Sequence, residues 1–168
     1  MANTQSEQTL GEQRCGTGLR AAAWVGFLKA HASVVKALDA DLIARHGLPL
    51  SAYEVLLKLA LSDRGQLRMS DLAQQALLSQ SRISRLVDQL CQQGLIERKS
   101  CESDSRVVYA QITEAGRARL DDAAQTHSAG VEGRFFERLS DADLERLAEI
   151  WEQILAPSAP AAKLASRL

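Results

Sequence analysis

Residues 70–116 decide the fold of this chain and read SDLAQQALLSQSRISRLVDQLCQQGLIERKSCESDSRVVYAQITEAG. Ser70 and Ser79 each precede a short helical pattern, and serine is a preferred N-cap because its hydroxyl accepts a hydrogen bond from the first turn. Gly94 follows the second pattern, where glycine commonly ends a helix. Two strand-like segments then flank a polar link. The stretch therefore predicts a helix, a tight turn, a second helix and a β-hairpin.

The second of these helices, the fourth in the chain, is predicted from about Gln80 to Gln93 and is amphipathic. Its apolar residues recur at spacings of three and four and form one stripe that must face a core. The stripe consists of Ile83, Leu86, Val87, Leu90 and Cys91. At roughly 100° per residue, Ser81 and Arg85 point nearly opposite to it, flanked by Arg82, Asp88 and Gln89. Arginine can pair bidentately with guanine, so this face suits the major groove of DNA. An ordinary solvated helix face explains the periodicity equally well.

The segments on either side of this stretch are also mainly helical. Apolar residues at helical spacing predict a first helix at about 19–45 and a second at 51–61, and a short strand at 67–69 is expected to pair with the hairpin. A fifth helix is predicted at about 113–138 and a sixth, opened by a capping-box pattern, at 140–155. The predicted fold class is mainly α with a small β-hairpin wing.

Composition restricts the class of protein. The chain has 168 residues, of which 46% are apolar, so it can bury a core, and its formal net charge is −1. Cationic residues outnumber acidic ones between Arg64 and Arg106, whereas acidic residues predominate from Thr113 to Leu155. This asymmetry favours an anionic partner for the middle of the chain.

The sequence also carries signals about location. Three cysteines without a paired spacing and a polar N-terminal stretch without a secretory signal favour a reducing compartment. No apolar run approaches the roughly 18–20 residues that a bilayer span requires. We therefore expect a cytoplasmic protein with no membrane association.

A resemblance to a known family is carried by the hairpin. Residues 104–116, DSRVVYAQITEAG, resemble the wing signature of the MarR family, in which D-x-R is followed six residues later by L/I-T-x-x-G. Ile112 stands where leucine is more common in the family. Residues 78–99, LSQSRISRLVDQLCQQGLIERK, resemble the family's recognition helix and first wing strand. The helical layout is similar from about residue 19 to 155. The wing signature is the specific part of the resemblance.

The resemblance implies a homodimeric winged helix-turn-helix transcription regulator. Such a dimer would bind double-stranded DNA at a pseudo-palindromic operator, with half-sites about one helical turn apart. It further implies that Arg106 enters the minor groove and that Asp104 supports it. With the exposed helix face included, the candidate DNA-binding residues are Ser70, Ser79, Gln80, Ser81, Arg82, Arg85, Arg98, Asp104 and Arg106.

The same resemblance divides the chain by role. We expect a flexible N-terminal tail at 1–17, a single domain at 18–156 and a flexible C-terminal tail at 157–168. Within the domain, we expect a DNA-binding lobe at about 50–112 and dimerisation helices at about 18–46 and 114–156.

A small-molecule effector is also implied, because members of the family commonly respond to aromatic or anionic ligands bound between the dimer helices and the DNA-binding lobe. The candidate ligand-binding residues are Arg20, Trp24, Phe27, His31 and Tyr53. Packing in the core or at an interface explains Trp24 and Phe27 as well, with His31 as a polar cap of that packing and Arg20 on the surface. We expect a repressor that such a ligand releases, with no cofactor.

Other classes of protein fit less well. No Gly-rich phosphate loop, nucleophile elbow or HExxH motif is present, and His31, His46 and His127 lie on separate predicted elements, so we expect no enzyme. A metal sensor would need clustered cysteine and histidine ligands, so we expect no metal site. A thiol-based redox sensor is the stronger alternative, because Cys15 and Cys101 each lie near basic residues that favour a thiolate. A protein-interaction module without DNA binding also stays open.

Overall fold

The structure is a computed structural model that describes residues 18–76, 78–100 and 107–156. In these ranges the helices are α1 (Leu19–His46), α2 (Leu50–Leu61), α3 (Met69–Gln75), α4 (Gln80–Gln92), α5 (Glu114–Arg134) and α6 (Asp141–Leu155), with 3₁₀ turns at Asp63–Gly65 and Phe136–Arg138. The strands are β1 (Gln66–Arg68), β2 (Ile96–Ser100) and β3 (Val108–Ile112). These elements confirm the predicted fold class. The chain divides into two compact units after Val131, within α5, and each is described separately.

The three strands form an antiparallel sheet in the order β1–β3–β2. Leu67 pairs with Ala110, which confirms the short strand predicted at 67–69, with a shift of one residue, and its pairing with the hairpin. Side chains alternate between the two faces of a strand. Ala110 and Ile112 accordingly share the buried face of the sheet, and Tyr109 lies on the other.

The core of the first unit joins helices α1 to α5, with Leu120 and Ala123 supplied by α5. Its largest fully buried side chains are Leu42, Leu48, Val55, Leu56, Leu59, Leu72, Ile83, Val87 and Leu90. The predicted apolar stripe of α4 therefore faces the core, with Leu86 and Cys91 half-buried at its edges. Each such burial contributes about 1.5–3 kcal/mol, and this packing holds short helices that would be marginal alone.

Several helix ends lie where the sequence predicts them. Ser79 caps α4, because its hydroxyl accepts a hydrogen bond from the backbone N–H of Arg82 at 3.4 Å. Gly94, with φ of 70°, follows the same helix in the left-handed conformation. In the second unit, Ser140 and Asp143 form the predicted capping box, and the hydrogen bonds from Ser140 lower the pKa of the Asp143 carboxyl.

The predicted N-cap of the third helix is wrong. Helix α3 begins at Met69 and its N-cap residue is Arg68, so Ser70 lies inside the first turn. The Ser70 hydroxyl donates to Oδ1 of Asp71 at 3.0 Å instead of accepting a bond from the backbone.

The predicted end of the fifth helix is also wrong. Helix α5 ends at Arg134 rather than near Arg138, because Phe135 leaves the helical conformation with φ of −128°. A short 3₁₀ turn follows before the capping box that opens α6.

Thr113 and Gly116, the T-x-x-G part of the wing signature, form a joint between α4 and α5. Thr113 Oγ1 accepts a hydrogen bond from the backbone N–H of Gly116 at 3.0 Å and donates one to the carbonyl oxygen of Gly94 at 2.7 Å. The backbone N–H of Thr113 donates to the carbonyl oxygen of Leu95 at 3.1 Å. Gly116 lies so close to Leu95 that a Cβ atom would overlap this carbonyl oxygen. The motif therefore ties the end of α4 to the start of α5.

A polar junction links α1 to α5. His46, the last residue of α1, is largely buried, and its Nδ1 lies 3.0 Å from Oδ2 of Asp122. Its Nε2 lies 2.8 Å from Oγ1 of Thr126 on the same helix. Both ring nitrogens of this histidine are thus satisfied by α5.

A second junction links α2 to α5. His127 stacks on Tyr53 with ring centroids 4.6 Å apart. Burial lowers the pKa of His127, and the nearby Glu54 carboxylate partly offsets that effect. Burial likewise raises the pKa of the Tyr53 hydroxyl. The neutral forms of both rings are therefore favoured in the folded state.

We expect Gly116→Ala to lower the free energy of unfolding by about 1–3 kcal/mol, because the added methyl group must displace the Leu95 backbone. Gly133→Ala is the matched control in the same helix, since its Cβ would lie 3.7 Å from Oε2 of Glu137, an ordinary contact. Alanine is favoured over glycine in a helix by about 1 kcal/mol, so the control should be as stable as the unaltered chain or more so. Urea unfolding followed by circular dichroism measures both. A Gly116→Ala protein as stable as the control would contradict the close approach.

We expect the stability to fall as the pH drops below about 6.5, the ordinary pKa of histidine. Because folding lowers the pKa of His127, the unfolded chain takes up this proton first and acid favours unfolding. The stabilising effect of neutral His127 is complete above its unfolded pKa and is lost as the pH falls through the lowered folded pKa. His127→Phe keeps a ring on Tyr53 but cannot titrate, so its unfolding free energy should change less between about pH 7 and pH 5. Urea unfolding at each pH gives the free energy of unfolding of both proteins. If this free energy changed equally with pH in the two proteins, the result would contradict the assignment to His127.

Candidate nucleic-acid interface

Helix α4 has two faces of opposite chemistry. One is the buried apolar stripe, and the other exposes Ser81, Arg82 and Arg85. The Arg85 Nε donates to the carbonyl oxygen of Ser81 at 3.3 Å, which holds the guanidinium along the helix surface. At the start of the helix, the hydroxyls of Ser79 and Ser81 are 3.2 Å apart. Hydroxyl and guanidinium groups of this kind can bond to phosphates or to base edges.

An open groove of about 600 Å³ lies beside this helix. Its lining residues are Arg68, Met69, Ser70, Gln80, Ser81, Ser84, Arg98, Val107 and Val108. The structure thus brings together four of the residues predicted to bind DNA, namely Ser70, Gln80, Ser81 and Arg98. The other three described candidates, Ser79, Arg82 and Arg85, are exposed on α4 or its N-cap, outside the groove lining.

Two polar residues of the groove, Arg68 and Ser84, are absent from the sequence prediction. Arg68 pairs with Tyr109 in the register of β1 and β3, and its Nε donates to the Tyr109 hydroxyl at 3.2 Å. The Arg68 guanidinium carbon lies 5.9 Å from the centroid of the same ring. A cation directly before a helix-turn-helix is the signal that could have identified Arg68. Ser84 follows Gln80 by four residues, which places both on one side of the helix.

Arg98 extends from β2 to α4. Its Nη2 lies 2.8 Å from Oδ1 of Asp88 and donates to the hydroxyl and carbonyl oxygens of Ser84 at 3.1 and 3.3 Å. Burial raises the pKa of the neighbouring Cys91 thiol, and the charge of Arg98 opposes that rise. The next cation of the strand, Lys99, lies 3.0 Å from a carboxylate oxygen of its own strand instead.

Part of the predicted site lies outside the described residues. This is true of the wing-tip pair Asp104 and Arg106, and of the two candidate redox cysteines, Cys15 and Cys101. Within the ranges that the structure describes, no cluster of three or more histidine, cysteine, aspartate or glutamate residues could hold a metal ion. In the same ranges, none of the helices combines the length and the apolar character that crossing a membrane requires.

The predicted ligand-binding residues fall in two places. Trp24, Phe27 and His31 follow one another along α1, with successive ring centroids 5.9 and 6.2 Å apart, and Arg20 lies one turn earlier. Trp24 and Phe27 are 50% and 42% exposed, so these rings are open to solvent in the single chain. Tyr53 is buried and belongs to the junction of α2 and α5 described above. Four of the five candidates thus share one helix.

Comparisons with known proteins agree with this geometry. A sequence model of the MarR family matches residues 46–107. The HTH-type transcriptional regulator MhqR of Bacillus subtilis (strain 168) is 31% identical over 112 residues, which are 67% of this chain and 75% of MhqR.

Solved structures of similar proteins extend the match over most of the chain. Sco3205, a MarR family transcriptional regulator from Streptomyces coelicolor solved in complex with DNA, superposes with a TM-score of 0.80 at 33% identity and covers 88% of this chain and 95% of its own. CouR from Rhodococcus jostii RHA1, solved bound to p-coumaroyl-CoA, superposes with a TM-score of 0.67 at 30% identity and covers 81% and 94%. The chain therefore belongs to the MarR family of winged helix-turn-helix transcriptional regulators.

Proposed function

We propose that this chain is a sequence-specific DNA-binding repressor that acts as a homodimer and is released from its operator by a small ligand. The exposed side of α4 supports the proposal, because its hydroxyl and guanidinium groups lie opposite a stripe in which Ile83, Val87 and Leu90 are buried. A helix held in this way can enter the major groove while its other face keeps the core intact. Such a regulator would act in the cytoplasm, and we propose no enzymatic activity, cofactor or membrane association for it.

Base contacts would come from the middle of the exposed face. Arg85 would pair with O6 and N7 of a guanine, and Ser81, one turn earlier, would bond to a neighbouring base edge. Residues nearer the start of α4 and in the groove would face phosphates, which fix the register of the protein on the duplex. These are Ser70, Ser79, Gln80 and Arg82. The solved DNA complex of the relative Sco3205 supports this use of the fold.

The hairpin tip would supply a contact to the adjacent minor groove. Arg106 would enter it with Asp104 as its support, a role that rests on the resemblance of residues 104–116 to the wing signature. Val107 and Val108, the next residues along the chain, line the groove beside α4. Strand β3 therefore begins beside the groove that Ser81 of α4 also lines. The negative potential of a narrow minor groove attracts an arginine placed there.

Homodimerisation would cover apolar side chains that the single chain exposes. On α1, Leu19, Trp24, Phe27 and Leu28 are each at least 42% exposed, and the buried residues of this helix lie only in its C-terminal half. In the second unit, α6 has no buried residue and its Ile154 is 64% exposed. Burial of each large apolar side chain against a partner would contribute about 1.5–3 kcal/mol. This apolar surface supports a dimer built from the helices outside residues 50–112.

The row of rings on α1 would also form part of an effector site. Trp24 and Phe27 offer faces on which an aromatic ligand can stack, and Arg20 offers a charge for an anionic group. His31 adds a polar group at the end of the row. The relative CouR was solved bound to p-coumaroyl-CoA, which supports a small-molecule effector for this chain. The alternative use of the same rings is packing against the partner protomer.

We expect Arg85→Ala to weaken binding to the preferred duplex by about 1–3 kcal/mol and to relax the preference at one base pair per half-site. Arg45→Ala is the matched control, because Arg45 is another exposed arginine, on α1, and its removal changes the net charge equally. Fluorescence anisotropy with a duplex recovered from a random-sequence library, and with its single-base variants, measures both effects. Affinity and base preference equal to those of the control would remove Arg85 from the site.

We expect Leu28→Glu to raise the dissociation constant of the dimer about 10- to 100-fold, because a carboxylate would replace an apolar contact at the interface. Lys29→Glu is the control, since it places the same group on the adjacent exposed residue without removing an apolar side chain. Sedimentation equilibrium measures the association of both proteins. A chain that is monomeric before any substitution, or a dimer that Leu28→Glu leaves unchanged, would contradict the proposed interface.

A further inference from the structure

The side chain of Arg98 extends from β2 of the hairpin to α4. Its Nη2 atom contacts Oδ1 of Asp88 at 2.8 Å and both oxygens of Ser84, at 3.1 and 3.3 Å. Three acceptors on two consecutive turns of α4 are therefore satisfied from a single residue of β2. Bonds between charged groups are stronger than those between neutral ones, so the contact to Asp88 is the principal one.

Asp88 has an unfavourable position for DNA binding when it is considered alone. It is the single acidic residue of α4. It follows the groove residues Gln80 and Ser84 at intervals of four, so it lies on the same side of the helix. Its side chain is 56% exposed. An uncompensated carboxylate in this place would repel the phosphates that the groove is proposed to approach.

We propose that Arg98 is a positioning residue for DNA recognition: it neutralises Asp88 and fixes α4 against β2, and it acts on DNA through the helix. This inference rests on the proposed function and refines the assignment of Arg98, which the sequence groups with the residues that contact DNA. The bonds to Ser84 and Asp88 engage Nη2 and hold the guanidinium against the helix before any DNA arrives.

The position of Arg98 gives the contact a mechanical role as well. Arg98 lines the same groove as Gln80 and Ser81 of α4 and Val108 of β3. The link from β2 to Ser84 and Asp88 therefore sets the distance between the helix and the hairpin. That distance decides whether the major-groove helix and the wing can engage one duplex together.

A double-mutant cycle separates positioning from direct contact. The unaltered chain, Arg98→Ala, Asp88→Ala and the double variant are compared for affinity to the duplex recovered from a random-sequence library. We expect Arg98→Ala to lose about tenfold in affinity, because Asp88 is left unpaired beside the DNA. Asp88→Ala should lose less than about threefold, because removing the carboxylate also removes its repulsion of the phosphates, which offsets the lost link to β2. The double variant should bind within about threefold of Asp88→Ala, since neighbouring residues couple in this way.

A contact role gives the opposite result. If Arg98 bound a phosphate, Asp88→Ala would free it for that bond, and Arg98→Ala would cost at least as much affinity in the Asp88→Ala background as in the unaltered chain. Equal or larger losses in that background would overturn the positioning role and leave the proposed function standing. No DNA binding by the unaltered chain would overturn the proposed function together with any role of Arg98 in it.

Hydrogen exchange of the variants without DNA distinguishes local loosening of α4 from a general loss of stability. We expect faster exchange of backbone amides in α4 for Arg98→Ala and for Asp88→Ala, with the amides of α2 unchanged, because each substitution breaks the same link between α4 and β2. Unchanged exchange in α4 for both single variants would overturn the positioning role without reference to DNA. Faster exchange throughout the core of Arg98→Ala would also overturn it, because the affinity loss would then report general instability.

Discussion

The burial of one stripe of α4 is the interaction on which the rest of the interface depends. Ile83 and Val87 are 0% exposed and Leu90 is 1% exposed, so this helix cannot turn about its axis without losing core contacts. Once these side chains are fixed, the helical repeat directs Ser81 and Arg85 to solvent. The polar face therefore follows from packing chemistry. A change that loosened the core would disable the interface even if every polar residue stayed in place.

Two further contacts fix the position of the hairpin relative to α4 and so give the candidate interface a defined geometry. The joint of Thr113 and Gly116 fixes the hairpin to the end of α4 and the start of α5, and the glycine is required because a side chain there would overlap the Leu95 backbone. Arg98 fixes the other strand of the hairpin to the middle of α4. The helix and the hairpin are thus held together at two places, the joint of Thr113 and Gly116 and the contact of Arg98 in the groove.

Helical spacing and residue type made the main features of α4 predictable from the sequence. The two faces of α4 follow from helical spacing, and its cap at Ser79 follows from the residue type. Ser70 has the same signal, but its hydroxyl is bonded to the adjacent Asp71, so the prediction of a cap there is wrong. Arg68 and Arg98 are different, because Tyr109 lies 41 residues from Arg68 and Ser84 lies 14 residues from Arg98, and only strand register and packing bring them together. The wing tip carries the most specific family signal, yet the roles of Asp104 and Arg106 stay predictions.

The most direct test of the proposed DNA recognition is the selection of DNA from a random-sequence duplex library with the purified chain. Two copies of α4 in a symmetric dimer must read the same bases in opposite directions. We expect a pseudo-palindrome whose half-sites are centred about 10 base pairs apart, at the spacing of one helical turn. Recovery of no enriched sequence, or of a single asymmetric site without a repeated half, would contradict it.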